Sequence, residues 1–172
     1  MSYLIPTTIR QLLFPRREVS CSWFLWQRLV RALRERGRSA TRESGAFLLG
    51  TRDSGHAWIS DFVLYDDLDP HCLDTGIVRF DGRYYGALWE AIEHRKCSVV
   101  ADVHVHPGEA FQSDSDRSNP MIAQAGHVSL ILPHYAKPPT SHLHARAYVF
   151  EKRDRWRTIS PGNIRAFLHV GL

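Results

Sequence analysis

Residues 102–116 read DVHVHPGEAFQSDSD. The stretch CSVVADVHVH reads as a buried strand that surfaces at its end, where Pro107 and Gly108 stop it. Successive side chains of a strand point to opposite faces, so His104 and His106 share one face. Two imidazoles at that spacing can grip one metal ion. Ser113-x-x-Asp116 follows, and a returning Asp116 completes a set of two nitrogens and one oxygen. Such a set leaves a fourth position open, the pattern of a catalytic rather than a structural zinc. Each piece also has a plainer reading. The histidine pair alone is a strand end meeting solvent, and Ser-x-x-Asp alone is a helix-capping box.

Metal-assisted hydrolysis needs a group that moves protons. No Glu shares a helix with a ligand, so the arrangement H-E-x-x-H is absent. The best remaining carboxylate is Glu43, which opens the apolar run ESGAFLLGT. On its own it is equally a strand-edge charge. Asp102 is read as alternating with the ligands and facing the other side of the strand. His127 opens a strand as a core or supporting residue. His134, His142 and His144 surround a loop with no spacing that demands metal.

These residues need elements to position them. Ser22 is placed to cap a helix, SWFLWQRLVRALRERG, whose Trp23, Trp26, Leu29, Val30 and Leu33 recur at the spacing of one buried face. Gly37 is its stop. ESGAFLLGT and HAWISDFVLY form a hairpin across TRDSG. DDLDPHCLD is a polar loop and TGIVRF a short strand. Asp81 precedes a second helix, GRYYGALWEAIEHRK, marked by Tyr84, Tyr85, Leu88, Trp89 and Ile92. Asn119-Pro120 opens a short helix that Gly126 ends. HVSLILP and HARAYVFE are further strands, RWRTIS an edge strand and PGNIRAFLHV a terminal helix. The order of elements predicts an α/β fold, a mixed β-sheet flanked by helices. Residues 1–20 are expected as an extended arm and 161–172 as the C-terminal helix of a single domain spanning 1–172.

The 172 residues suit one sizeable core. No apolar stretch approaches a membrane span, and the N-terminus lacks the pattern of a signal peptide. The expected location is cytoplasmic, with Cys21, Cys72 and Cys97 as reduced thiols. The net charge is +4, concentrated in Arg28, Arg31, Arg34, Arg36, Arg38 and Arg42. That stripe reads as a solvated helix face. Nucleic acid is a weak alternative, because no aromatic is interleaved among the later arginines.

Glu43 in ESGAFLLG, His104-x-His106-Pro107, and Ser113-x-x-Asp116 together resemble the JAMM (MPN+) zinc metalloprotease motif of the JAB domain. VVADVHVHPG, SDSDRSNPM and GHVSLILPHYA look like its prokaryotic branch, and the resemblance runs from about residue 22 to 160. The loop from Pro107 to Gln112 is one residue shorter than in many members, and the S-x-x-D spacing selects Asp116 over Asp114. The resemblance implies a single JAB/MPN domain with cytidine-deaminase-like layering. It implies that His104, His106 and Asp116 bind one catalytic zinc and that Glu43 is the general base and later the acid. It implies that Ser113 donates a hydrogen bond to the developing oxyanion. No other cofactor is expected.

The implied reaction is amide or isopeptide hydrolysis without a covalent intermediate. The implied substrate and partner is a ubiquitin-like protein, cleaved after its C-terminal tail, either from a precursor or from a conjugate. Bacterial members of this deubiquitinase-like class often accompany ubiquitin-like conjugation genes, including antiphage operons, and the resemblance implies such a pathway here. DDLDPHCLDTG is read as a wall of the groove whose acidic residues meet a basic tail. Two alternatives remain: a hydrolase of sulfur-carrier proteins or their cysteine adducts, and a non-catalytic MPN scaffold. A zinc nucleobase deaminase is disfavoured because its H-x-E and P-C-x-x-C signature is missing.

Overall fold

A computed structural model describes residues 18–37, 41–153 and 155–171. Most of the expected arm, residues 1–17, lies outside the described residues, as does Leu172. The described chain is a mixed α/β structure built on one eight-stranded sheet, in the order β7-β6-β5-β4-β2-β3-β1-β8. The strands are β1 (Val19–Ser22), β2 (Gly45–Asp53), β3 (His56–Leu64), β4 (Ser98–Val105), β5 (Val128–Leu132), β6 (Arg146–Lys152), β7 (Arg155–Thr158) and β8 (Leu168–Gly171).

Helix α1 (Trp23–Arg36) packs on one face of the sheet. Ser22 Oγ accepts the Leu25 N–H at 3.2 Å, satisfying a donor that the first turn leaves orphaned. Leu25, Trp26, Leu29, Val30 and Leu33 are buried against Ala46, Leu48, Ile59, Val103 and Leu130. Burial of each such leucine is worth about 1.5–3 kcal/mol. Trp23, expected on this face, is 49% exposed, and Leu25 takes the place assigned to it. Arg28 lies over the Phe62 ring, Arg31 pairs with Glu35, and Arg36 pairs with Asp66 and Asp67. These arginines have partners in the protein itself.

The other face carries a second cluster of Phe47, Leu49, Val63, Tyr65, Cys72, Leu73 and Leu88. Helix α3 (Tyr85–Arg95) covers it, with Leu88 buried and Tyr85 and Ile92 half-buried. A 3₁₀ turn, Gly82–Tyr84, leads in, and Asp81 caps it by accepting the Arg83 N–H. A short helix α2 (Tyr65–Leu68) follows β3. Tyr65 then lies over Gly45: a Cβ at residue 45 would stand 2.2 Å from Tyr65 Cε2 and 2.8 Å from the Val103 carbonyl oxygen. Only glycine lets β2, β4 and Tyr65 approach this closely.

Three expected elements are different. TGIVRF forms no strand: it starts as a turn with Gly76 at φ +86°, and its N–H groups go elsewhere. Val78 N–H goes to the Glu43 carboxylate and Arg79 N–H to the Cys72 carbonyl. Asn119 does not open a helix. It closes α4 (Asp114–Ser118), and Pro120 prevents continuation. The terminal helix is short: a 3₁₀ turn at Pro161–Asn163 and α5 (Ile164–Phe167) give way to β8, which pairs parallel with β1. The open backbone edge of β1 overrides the local helical pattern. The hairpin, the buried β4 and the edge position of β7 follow the sequence pattern.

Candidate metal centre

The register of β2 against β4 assembles the site. Gly45 stands opposite His104, and Val105 N–H bonds the Ser44 carbonyl at 3.0 Å. Continuing that antiparallel register brings Glu43 alongside His106. Past Val105 the chain stays anchored, since His106 N–H bonds Leu132 O and Tyr135 N–H bonds His106 O. The loop that follows is pinned by Gln112 N–H on the Tyr148 hydroxyl at 3.1 Å and by the His134 N–H on Gly108 O. Helix α4 is tied to β7 through Trp156 Nε1, which donates to Arg117 O at 3.1 Å.

Ser113 caps α4 in a full capping box. Its Oγ accepts the Asp116 N–H at 3.2 Å, and its own N–H and hydroxyl both donate to Asp116 Oδ2 at 2.8 Å. The capping reading and the ligand reading are therefore compatible: the cap turns the Asp116 carboxylate back toward the histidines. Asp114, on the exposed side of the same turn, is not among them.

His104, His106 and Asp116 converge, with one ligand atom from each within 4.8 Å of the others. The His104 and His106 Nε2 atoms are 3.0 Å apart. Asp116 Oδ1 is 3.5 Å from His104 Nε2, and Oδ2 is 3.4 Å from His106 Nε2. Donors held at about 2.0–2.1 Å around a tetrahedral ion lie roughly 3.3 Å from one another. The donor set, its spacing and its burial fit a divalent first-row metal. Burial disfavours the charged His104 imidazole, but hydrogen bonding to Asp116 and the fields of Asp116, Asp102 and Glu43 outweigh it and raise its pKa. Burial likewise opposes the Asp116 carboxylate, yet the two imidazoles and Ser113 hold its pKa well below the usual carboxylate range.

Glu43 stands at the mouth, with Oε1 4.0 Å from His106 Nε2 and Oε2 accepting the Val78 N–H at 3.2 Å. Phe111 sits edge-on to the His106 ring at 5.3 Å. A cleft of about 210 Å³ opens on the His106 side between Glu43, Ile77, Val78, Phe111 and Ser113. A second, of about 500 Å³, opens on the His104 side between Val78, Arg79, Phe80, Tyr85 and Met121. Val78, Ser115 and Asp116 line both, so the donors lie across one groove. Its wall comes from Ile77–Phe80 rather than from the aspartates of DDLDPHCLD.

The structure brings together all five residues selected from the sequence. Asp102 is the correction. It does not face away from the ligands: it shares parity with His104 and lies on the Tyr65 side of the sheet, accepting the Tyr65 hydroxyl. His127 is buried and 2.6 Å from Asp102. Parity alone could have placed Asp102, whereas the Val78 N–H that holds Glu43 had no sequence signal. His134 lies 3.6 Å from the exposed Glu109, and His142 packs edge-on to Trp26.

No family model matches the chain. Over 117 residues it is 24% identical to a protein of Sinorhizobium fredii, and the match covers 68% of this chain and 72% of the other. That relative is named probable metalloprotease y4jG. Among solved structures, protein DSY2949 from Desulfitobacterium hafniense superposes with a TM-score of 0.63 at 15% identity, over 88% of this chain and 92% of its own. A protein from Salinibacter ruber gives 0.55 at 16% identity, over 82% and 88%. These two likenesses establish the fold alone.

Proposed function

We propose that this chain is a JAMM-type zinc metallopeptidase with a JAB/MPN domain, cleaving the amide or isopeptide bond that follows the C-terminal tail of a ubiquitin-like protein. The observation that carries the reading is the convergence of His104, His106 and Asp116 within one groove, with the Glu43 carboxylate 4.0 Å from His106. The name of the Sinorhizobium fredii relative supports a metallopeptidase. The ubiquitin-like substrate rests on the motif resemblance, and so does a place in a bacterial conjugation pathway.

His104, His106 and Asp116 would hold the zinc ion, which would supply Lewis-acid chemistry toward a carbonyl and a water molecule. Glu43 removes a proton from the attacking water and delivers it to the leaving nitrogen. The Val78 N–H on Oε2 orients the carboxylate and leaves Oε1 facing the centre. Ser113 has one hydroxyl proton, directed here at Asp116 Oδ2. To serve a developing oxyanion the hydroxyl must rotate, while the Ser113 N–H keeps Asp116 in place.

The test is cleavage of a ubiquitin-like protein carrying a C-terminal fusion, with the zinc-loaded chain and with Glu43→Gln. Expected is zinc-dependent cleavage at the end of the tail that the substitution removes. Absence of cleavage across a panel of such fusions, with zinc bound, overturns the substrate assignment.

A further inference from the structure

Asp102 lies two residues before His104 on β4, a rise of about 7 Å along the strand, and is 1% exposed. Its carboxylate accepts three donors. His127 Nε2 is 2.6 Å from Oδ1, and Ser129 Oγ and the Tyr65 hydroxyl are 3.0 and 3.3 Å from Oδ2. Ser129 is its register partner on β5, and Tyr65 begins α2. The network ties β4 to β5 and to the end of β3, directly before the ligand pair.

A buried carboxylate is rare without a counter-charge. Tyr65 and Ser129 are neutral donors; among the described residues His127 is the hydrogen-bonded partner able to carry a positive charge, and the His104 imidazole lies in the field of Asp102 as well. Among the described residues no Lys or Arg pairs with Asp102. The ligand set, meanwhile, brings one negative charge, Asp116, to a divalent ion. Charge is short on one side of His104 and in excess on the other.

We propose that Asp102 is a positioning residue of the metal centre: its buried negative charge, fixed by His127, Ser129 and Tyr65, offsets the charge of a divalent cation held by His104, His106 and Asp116. This rests on the metal reading above. The separation is short and the intervening medium is protein, so the interaction is poorly screened. Ser129 and Tyr65 serve by holding the carboxylate, not by their own charge.

The test is zinc affinity, measured by competition with a chromogenic chelator, for the wild type, Asp102→Asn and Ser129→Ala, with thermal melting of each zinc-free form. Asp102→Asn is expected to bind zinc about 10–100-fold more weakly. Its cobalt-loaded visible spectrum should stay unchanged, because the ligands are intact. Ser129→Ala should lower the melting temperature and leave zinc affinity unchanged. Should Asp102→Asn fail to fold, Asp102→Ser removes the same charge with a smaller side chain, and the same expectation applies. Wild-type affinity in the charge-removing variant overturns the inference, and so does an equal loss in Ser129→Ala. A wild type that binds no zinc overturns the metal reading with it.

Discussion

Two regions of the molecule are rich in carboxylates and end differently. In helix α2, directly after β3, Asp66 and Asp67 pair with Arg36 at 2.9 and 2.7 Å. Asp69 is buried and accepts the N–H groups of His71 and Asp81, and Asp74 pairs with His71. Each is used to hold the chain. At the end of β4, Asp116 is turned by its cap toward two buried imidazoles, and Glu43 keeps one oxygen free of backbone partners and close to His106. Acid density alone therefore does not mark a site. What marks it is convergence on a common point of groups whose local partners orient them without using them up.

The largest effect is expected at Glu43: Glu43→Gln should lower kcat by about 10²–10⁴-fold while zinc stays bound, checked by fusion cleavage and metal analysis. Next is Asp69→Ala, which leaves two N–H groups unpaired and should destabilise by about 1–3 kcal/mol in urea unfolding, with zinc affinity unchanged. Smaller still is Asp67→Ala, an exposed ion pair worth about 0.2–1 kcal/mol in the same assay. Asp114→Ala should leave zinc stoichiometry as in the wild type. Loss of zinc there would move the third ligand from Asp116 to Asp114.

Much of this was legible in the sequence because the signals were local and periodic. Ser22 and the spacing of Trp26, Leu29, Val30 and Leu33 define α1, and the period of two in β4 puts His104 and His106 on one face. Glu43, His104, His106, Ser113 and Asp116 were legible as a candidate set through the motif resemblance, since each piece alone has a plainer reading. Elements decided by long-range partners were not legible. Thr75–Phe80 has strand composition, yet its N–H groups are claimed by Glu43 and Cys72. Leu168–Gly171 follows a helical turn, yet β1 offers an open edge. The segment after Asn119 offers only Met121 to Ala125 between Pro120 and Gly126, too short a run to sustain a helix. Met121 and Ile122 pack instead on the α3 side of the sheet, and Met121 O accepts the Tyr85 hydroxyl. Asp102 was placed on the wrong face although its shared parity with His104 was already readable.

We propose that His104, His106 and Asp116 hold one metal ion beside Glu43. The most direct measurement is zinc content per chain after dialysis against trace zinc, for the wild type, His106→Ala and Glu43→Gln. One zinc per chain is predicted for the wild type and Glu43→Gln, and none for His106→Ala. A wild type without zinc, or a His106→Ala variant that keeps it, would contradict the account.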